Sequence, residues 1–145
     1  MTTAARFKSD NLSGLSLAQL AASTIKCALV TSSWTPDIDT QDFWDDIVAN
    51  EASGTGYTAG GATLTGKVAD QHTGLDYAYL TADNPSWVAI SVTFRFAVFY
   101  VWTGVDSTSP LLLYADFGGN QTLIDAPLVI EIANADAGGL LKETS

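Results

Sequence analysis

The sequence predicts a mainly β, single-domain protein: an antiparallel β-sandwich or small barrel with one short α-helix and an N-terminal arm. Three observations predict it. Apolar residues alternate with a period of two in several segments, most plainly over residues 87–102. Clusters of Gly, Pro, Asp, Asn and Ser stand between these segments, at 70–74, 82–86, 104–110 and 118–127. The chain has 145 residues, 47% of them hydrophobic and 15% charged, enough for one domain to bury its own core without disulfides or metals.

Taken in order, residues 1–22 stand apart as an N-terminal arm or short helix, and residues 23–145 form the β-rich domain. The first segment is rich in Ala, Ser, Thr and Leu and carries two of the six cations. Leu12, Leu15, Leu17 and Leu20 fit about two helical turns after Ser13 or Ser16 as N-cap, and equally an extended arm outside the folded core. Residues 24–31 read as a strand, with Ile25, Cys27 and Leu29 on one face and Lys26, Ala28 and Val30 on the other. Pro36 breaks the run. Asp37 or Asp39 then caps a helix over 40–49, in which Phe43, Trp44, Ile47 and Val48 make one apolar stripe and Asp45 and Asp46 face water.

Four glycines among residues 53–61 make that stretch a loop. Strand-like segments follow at 62–68, 75–81, 87–102, 111–117 and 128–133. In the longest, Val88, Ile90, Val92, Phe94, Phe96, Val98 and Tyr100 share one face. At that length it is either one bent strand or two joined by a bulge.

Charge and composition exclude several classes of function. Six Lys and Arg against 16 Asp and Glu leave a net charge of −10, which opposes nucleic acid and anionic membranes. No apolar run approaches a membrane span, and the polar interruptions of the first residues do not read as a secretory signal. The single cysteine, Cys27, rules out an internal disulfide and reads as a small buried hydrophobe.

Several patterns imitate chemistry. Gly61-Ala-Thr-Leu-Thr-Gly66-Lys67-Val68 matches a phosphate loop except at its end, where Val68 has no oxygen for magnesium and no helix follows. Gly54-Thr-Gly56-Tyr-Thr-Ala59 precedes no helix and reads as a loop. Asp37 and Asp39 leave a non-standard calcium site open, although the EF-hand positions are not met. His72 is the sole histidine; it sits in a turn with no nucleophile elbow in the chain and reads as solvent-exposed. Asn11-Leu-Ser13 and Asn120-Gln-Thr122 fit the glycosylation pattern, which is too short to be specific. Trp34, Trp87 and Trp102 fall at strand ends or turns, where they either pack into the core or line a sugar- or partner-binding face. No catalytic, cofactor-binding or metal residue is assigned, and the chain reads as a binding protein without a cofactor rather than an enzyme.

The block Ile25-Lys-Cys-Ala-Leu-Val30, Trp34-Thr-Pro-Asp37, Phe43-Trp-Asp-Asp46, Ala49-Asn-Glu51 and Gly54-Thr-Gly-Tyr-Thr-Ala-Gly-Gly61 resembles a family of small virion proteins of tailed bacteriophages. Phe94-Arg-Phe-Ala-Val-Phe-Tyr100, Ser109-Pro-Leu-Leu112 and Tyr114-Ala-Asp-Phe-Gly118 resemble the same family's closing strands. The likeness runs from about Ile25 to Ile132; the segment before it and the stretch from Asp70 to Tyr79 do not follow the pattern. It implies a capsid decoration or cement protein on the virion exterior, made in the host cytoplasm. The implied partners are the major capsid protein and further copies of the chain. The alternative reading is a tail or baseplate component, or a receptor- or glycan-binding module.

Overall fold

The computed structural model describes residues 3–7, 16–133 and 139–144. In chain order they form β1 (Thr3–Arg6), α1 (Leu17–Ala22), β2 (Ile25–Val30), β3 (Ala62–Thr63), β4 (Val68–His72), β5 (Tyr77–Thr81), β6 (Ser86–Val101), β7 (Leu111–Val129) and β8 (Leu141–Thr144). The fold is mainly β, as the alternation predicts. Strands β1-β7-β6-β2-β3 make one antiparallel sheet and β4-β5-β8 a second. Two sheets sharing a core, with almost no helix, give the sandwich-like arrangement.

The larger sheet is covered on both faces, which explains why β2 is apolar throughout. On one face Cys27, Leu29, Phe99 and Leu112 pack with Leu80 and Leu141 of the second sheet and with Leu17 and Leu20 of α1. On the other, Ala28, Val30, Phe96, Val98 and Tyr100 pack under Phe7, Trp34, Trp44 and Ile47. Cys27 is fully buried, as expected, and burial pushes its thiol far above its ordinary pKa, keeping it protonated and unreactive.

Four expectations are corrected. Residues 40–49 are not an α-helix but two short 3-10 turns, Trp44–Asp46 and Val48–Asn50. The backbone that a helix needs is used elsewhere: the Trp44 N–H donates to the Ser109 carbonyl, and the Leu111 N–H donates to the Asp42 carbonyl. Asp46 turns its carboxylate back to accept from the N–H groups of Asp42 and Phe43, the local competition that makes Asp a poor helix former. Trp44 and Ile47 are buried, whereas Phe43 is 39% exposed.

Residues 118–127 are not a turn between two strands. β7 runs unbroken through them, with Gly118 (φ +84°) and Asp125 (φ +47°) in the left-handed region. Nor does the Val88–Tyr100 alternation stay on one face. Phe96 pairs with Asp116 but Phe94 with Gln121, so β7 takes extra residues there. Ile90, Val92 and Phe94 therefore face the core shared with the second sheet, while Phe96, Val98 and Tyr100 face Trp34 and Trp44.

The N-terminal segment is not an arm outside the core. β1 pairs with β7, Thr3 against Asp116 through Arg6 against Leu113, and Phe7 is fully buried. The helix that the leucines predict does form as α1. Ser16 Oγ accepts from the Gln19 N–H while the Ser16 N–H donates to Gln19 Oε1, a capping box. Leu12 and Leu15 lie outside the described residues.

Candidate functional site

Five residues of the 25–61 block, Lys26, Trp44, Glu51, Tyr57 and Gly60, converge on one place, where the glycine-rich loop closes on β2 and β6. Lys26 and Tyr100 are cross-strand partners there. The Tyr100 ring stacks flat on Trp44, 4.5 Å between centroids at an interplanar angle of 1°, and its hydroxyl donates to the Gly60 carbonyl at 2.6 Å. Glu51 Oε1 accepts from the Tyr57 hydroxyl at 2.8 Å and from the Gly60 N–H at 2.6 Å. The Tyr57 oxygen in turn accepts from the Leu29 N–H at 3.0 Å. One carboxylate thus ties the loop to the sheet through a tyrosine. Gly61 (φ +85°) is required because a Cβ there would lie 1.9 Å from the Cys27 carbonyl oxygen.

Burial raises the pKa of Glu51, partly offset by its two hydrogen bonds, and burial likewise pushes the Tyr57 and Tyr100 hydroxyls well above their ordinary range. These tyrosines remain neutral donors. A cleft of about 180 Å³ lies beside them, with the Lys26 ammonium 4.8 Å from the Trp102 ring centre and Asp106 at its rim. This is smaller than the roughly 300–1,000 Å³ of ordinary ligand pockets. Glu51, Tyr57 and Tyr100 are committed to holding the loop on the sheet, while Lys26 and Asp106 complete the cleft's lining.

A larger recess of about 490 Å³ lies beside β7, floored by Phe99, Leu113 and Ala115 and walled by Phe117, Ile130 and Leu140. Among the described residues that line it, Glu131 is the one charged group, and the rest offer mainly apolar contact.

The other sequence candidates fall apart in space. Asp37 Oδ1 accepts from the N–H groups of Asp39 and Thr40, forming a turn. Among the described residues, no cluster of three His, Cys, Asp or Glu is arranged to hold a metal ion. The phosphate-loop mimic is strand β3, a turn at Gly66 and the start of β4, with no helix behind it. His72 ends β4 half-buried, its Nδ1 accepting from the Leu75 N–H and its ring 5.4 Å from that of Tyr77, rather than standing fully in solvent. Trp34 is core, donating through Nε1 to Gln41; Trp87 is half-buried against Tyr57, and Trp102 is half-buried beside Lys26. Asn120 is exposed within β7, and Asn11 lies outside the described residues.

Two features escape a reading of residue types alone. One is the Glu51–Tyr57–Gly60 clamp, whose only signal is a lone glutamate ahead of a glycine-rich loop. The other is Arg95, bidentate to Asp116 at 2.9 and 3.0 Å, where Asp116 also accepts from the Gly118 N–H. The pair bridges the point at which β7 gains its extra residues. A single cation in an apolar strand was the available signal.

The two most exposed large apolar side chains among the described residues lie on the outer half of the β6–β7 ribbon, Val88 at 93% and Ile124 at 81%, and Val129 of the same ribbon is 54% exposed. The 14 residues from Phe117 to Ile130 carry one charge, Asp125, in a chain of net charge −10. Among the described residues no helix is long and apolar enough to cross a membrane. Against protein-family models, curated proteins and solved structures alike, the chain shows no match.

Proposed function

We propose that this protein is a structural component of a tailed-phage virion that binds the exterior of the capsid lattice and stabilises it, as a decoration or cement protein. The observation that carries this reading is the exposed, nearly uncharged β6–β7 ribbon bearing Val88, Ile124 and Val129. Such a surface binds by burying apolar area, and an acidic body around it repels anything that does not match. The resemblance of the 25–61 block supports the same assignment. Its residues build the clamp that fixes the loop to the sheet, which rigidifies the scaffold from which the ribbon extends. The partner is the major capsid protein, and the protein works without catalysis or cofactor. Occupying a site that exists only in the assembled shell stabilises that shell by mass action.

A tail or glycan-binding role draws support from Trp102 beside Lys26, the aromatic face that a sugar uses. The small size of that cleft weighs against it. The test is electron microscopy of phage particles carrying labelled protein, with Val88→Asp as the comparison. Label on the head, lost in Val88→Asp, is the expected outcome. Label on the tail, or glycan binding by the free protein, would replace the capsid reading with the second one.

A further inference from the structure

Two β-bulges face each other in the outer half of the β6–β7 ribbon. Trp87 pairs with Leu128 and Ile90 with Ala126, so Val88 and Ala89 together oppose Pro127. Val92 pairs with Leu123, so beyond Ile90 the single Ser91 opposes both Ile124 and Asp125. The residues flanking each bulge face the core: Ile90 and Val92 are buried in it, and Trp87, Leu123 and Leu128 pack against it. The bulged residues therefore turn outward together, Val88 and Ile124 most of all, with Ala89, Asp125 and Pro127 also exposed. A regular ladder sends only every second residue to one face; the two bulges crowd an apolar patch there. Asp125 is its one charge, since residues 86–94 and 117–130 hold no lysine or arginine. Arg95, next along β6, is held by Asp116 through two hydrogen bonds. The Asp125 backbone is fixed at φ +47° with its N–H donating to Ser91 Oγ at 2.9 Å, and among the described residues no group pairs with its carboxylate.

We infer that the partner docking on this patch presents one guanidinium or ammonium group, set within an apolar surface, to the Asp125 carboxylate, which makes Asp125 the specificity-determining residue of the ribbon. The inference rests on the ribbon being the docking face. Ile124 and Asp125 are adjacent and turned to the same side, so a surface that takes the isoleucine out of water takes the carboxylate with it. An anion removed from water without a partner is strongly penalised. The chain has no cation here to offer, so the partner supplies it. The same pairing rejects a surface that is merely apolar, and one that is acidic, a selectivity that apolar burial lacks.

The test adds the parent, Asp125→Asn and Asp125→Gly to phage particles assembled without the protein, and separately titrates each by NMR with hexylguanidinium and with hexyl sulfate. Asn and Gly both tolerate the left-handed region, so each variant loses the charge and keeps the bulge. Both should bind particles about tenfold more weakly than the parent, or worse. Asp76→Asn, at a second left-handed aspartate (φ +58°) in another hairpin, should bind as the parent does. Hexylguanidinium should shift the Ile124 and Val88 methyl signals of the parent and leave those of Asp125→Asn in place, while hexyl sulfate moves neither. Equal particle binding by the parent and Asp125→Asn would overturn the inference, as would hexylguanidinium shifts that are absent from the parent or persist in the variant. Particles that take up no protein at all would defeat the capsid reading alone, and the hexylguanidinium titration then decides the inference by itself.

Discussion

Glu51 is a half-buried carboxylate serving two donors, and its protonation is coupled to folding. Its folded pKa lies above the unfolded value, so the native state holds the proton more tightly. Stability is therefore greatest below the ordinary glutamate pKa of about 4.3 and falls as pH rises through the interval above it. Glu51→Gln keeps an acceptor oxygen for Gly60 and Tyr57 and removes the charge, so that decline should vanish from urea titrations run across the acidic range, with little change at low pH. Glu51→Ala should instead cost about 1–3 kcal/mol for each donor left without a partner. Asp116 behaves in the opposite sense. Its hydrogen bonds to Arg95 hold its pKa below the usual range, and the stability it adds is present above the unfolded value and lost on acidification through the folded one. At this scale the sequence was legible for burial and not for pairing. Cys27 declared itself by its apolar neighbours, whereas Glu51 looked like one more acid in an acidic stretch, because its partners Tyr57 and Gly60 are brought to it only by the loop.

The strands were legible wherever period-two alternation decided the matter, as in β2, β5 and β6. The 40–49 segment misled because an i, i+1, i+4, i+5 stripe also describes two tight turns that bury Trp44 and Ile47 from the same side. The deciding interaction was long-range: the Trp44 N–H donating to Ser109, invisible to any local pattern. β7 misled in the other direction, since Gly118-Gly119-Asn120 and Asp125-Ala126-Pro127 have the composition of turns but serve as irregularities within a strand. A consequence for the 3-10 turns can be measured. Trp44→Ala, which removes the ring stacked on Tyr100, should cost about 3–5 kcal/mol in chemical denaturation. Phe43→Ala, one residue earlier but 39% exposed, should cost about 1 kcal/mol or less. Equal costs would mean that the two residues share the burial which the structure gives to Trp44 alone.

For the molecule as a whole, the apolar content and single-domain length foretold a core but not that the larger sheet would be covered on both faces. The second cover comes from Phe7, Trp34 and Trp44, all outside the long strands. A chain starting at Ser23 would lack Phe7, Leu17 and Leu20, each buried, and β1 with them. Losing Phe7 alone is worth about 3–5 kcal/mol and each leucine about 2–5, against a total stability of about 5–15. The truncated chain should therefore show no cooperative melting transition and should lose its near-ultraviolet circular dichroism. A truncated protein melting like the parent would mean that the N-terminal segment is an appendage after all.

The pairing of Thr3 with Asp116 also sets an order of events in time. Strand β1 leaves the ribosome before its partner, more than 100 residues downstream, so it must wait, with Phe7 in water, until β7 has been synthesised. β2 waits similarly for β6. Pairings so distant in the chain place folding on the millisecond-to-second scale of β-sandwiches rather than the microseconds of helical bundles. Sequence proximity makes the β6–β7 hairpin the expected nucleus, with β1 expected to dock last. In pulse-labelled refolding, protection of the amides in Thr3–Arg6 should trail that of β6.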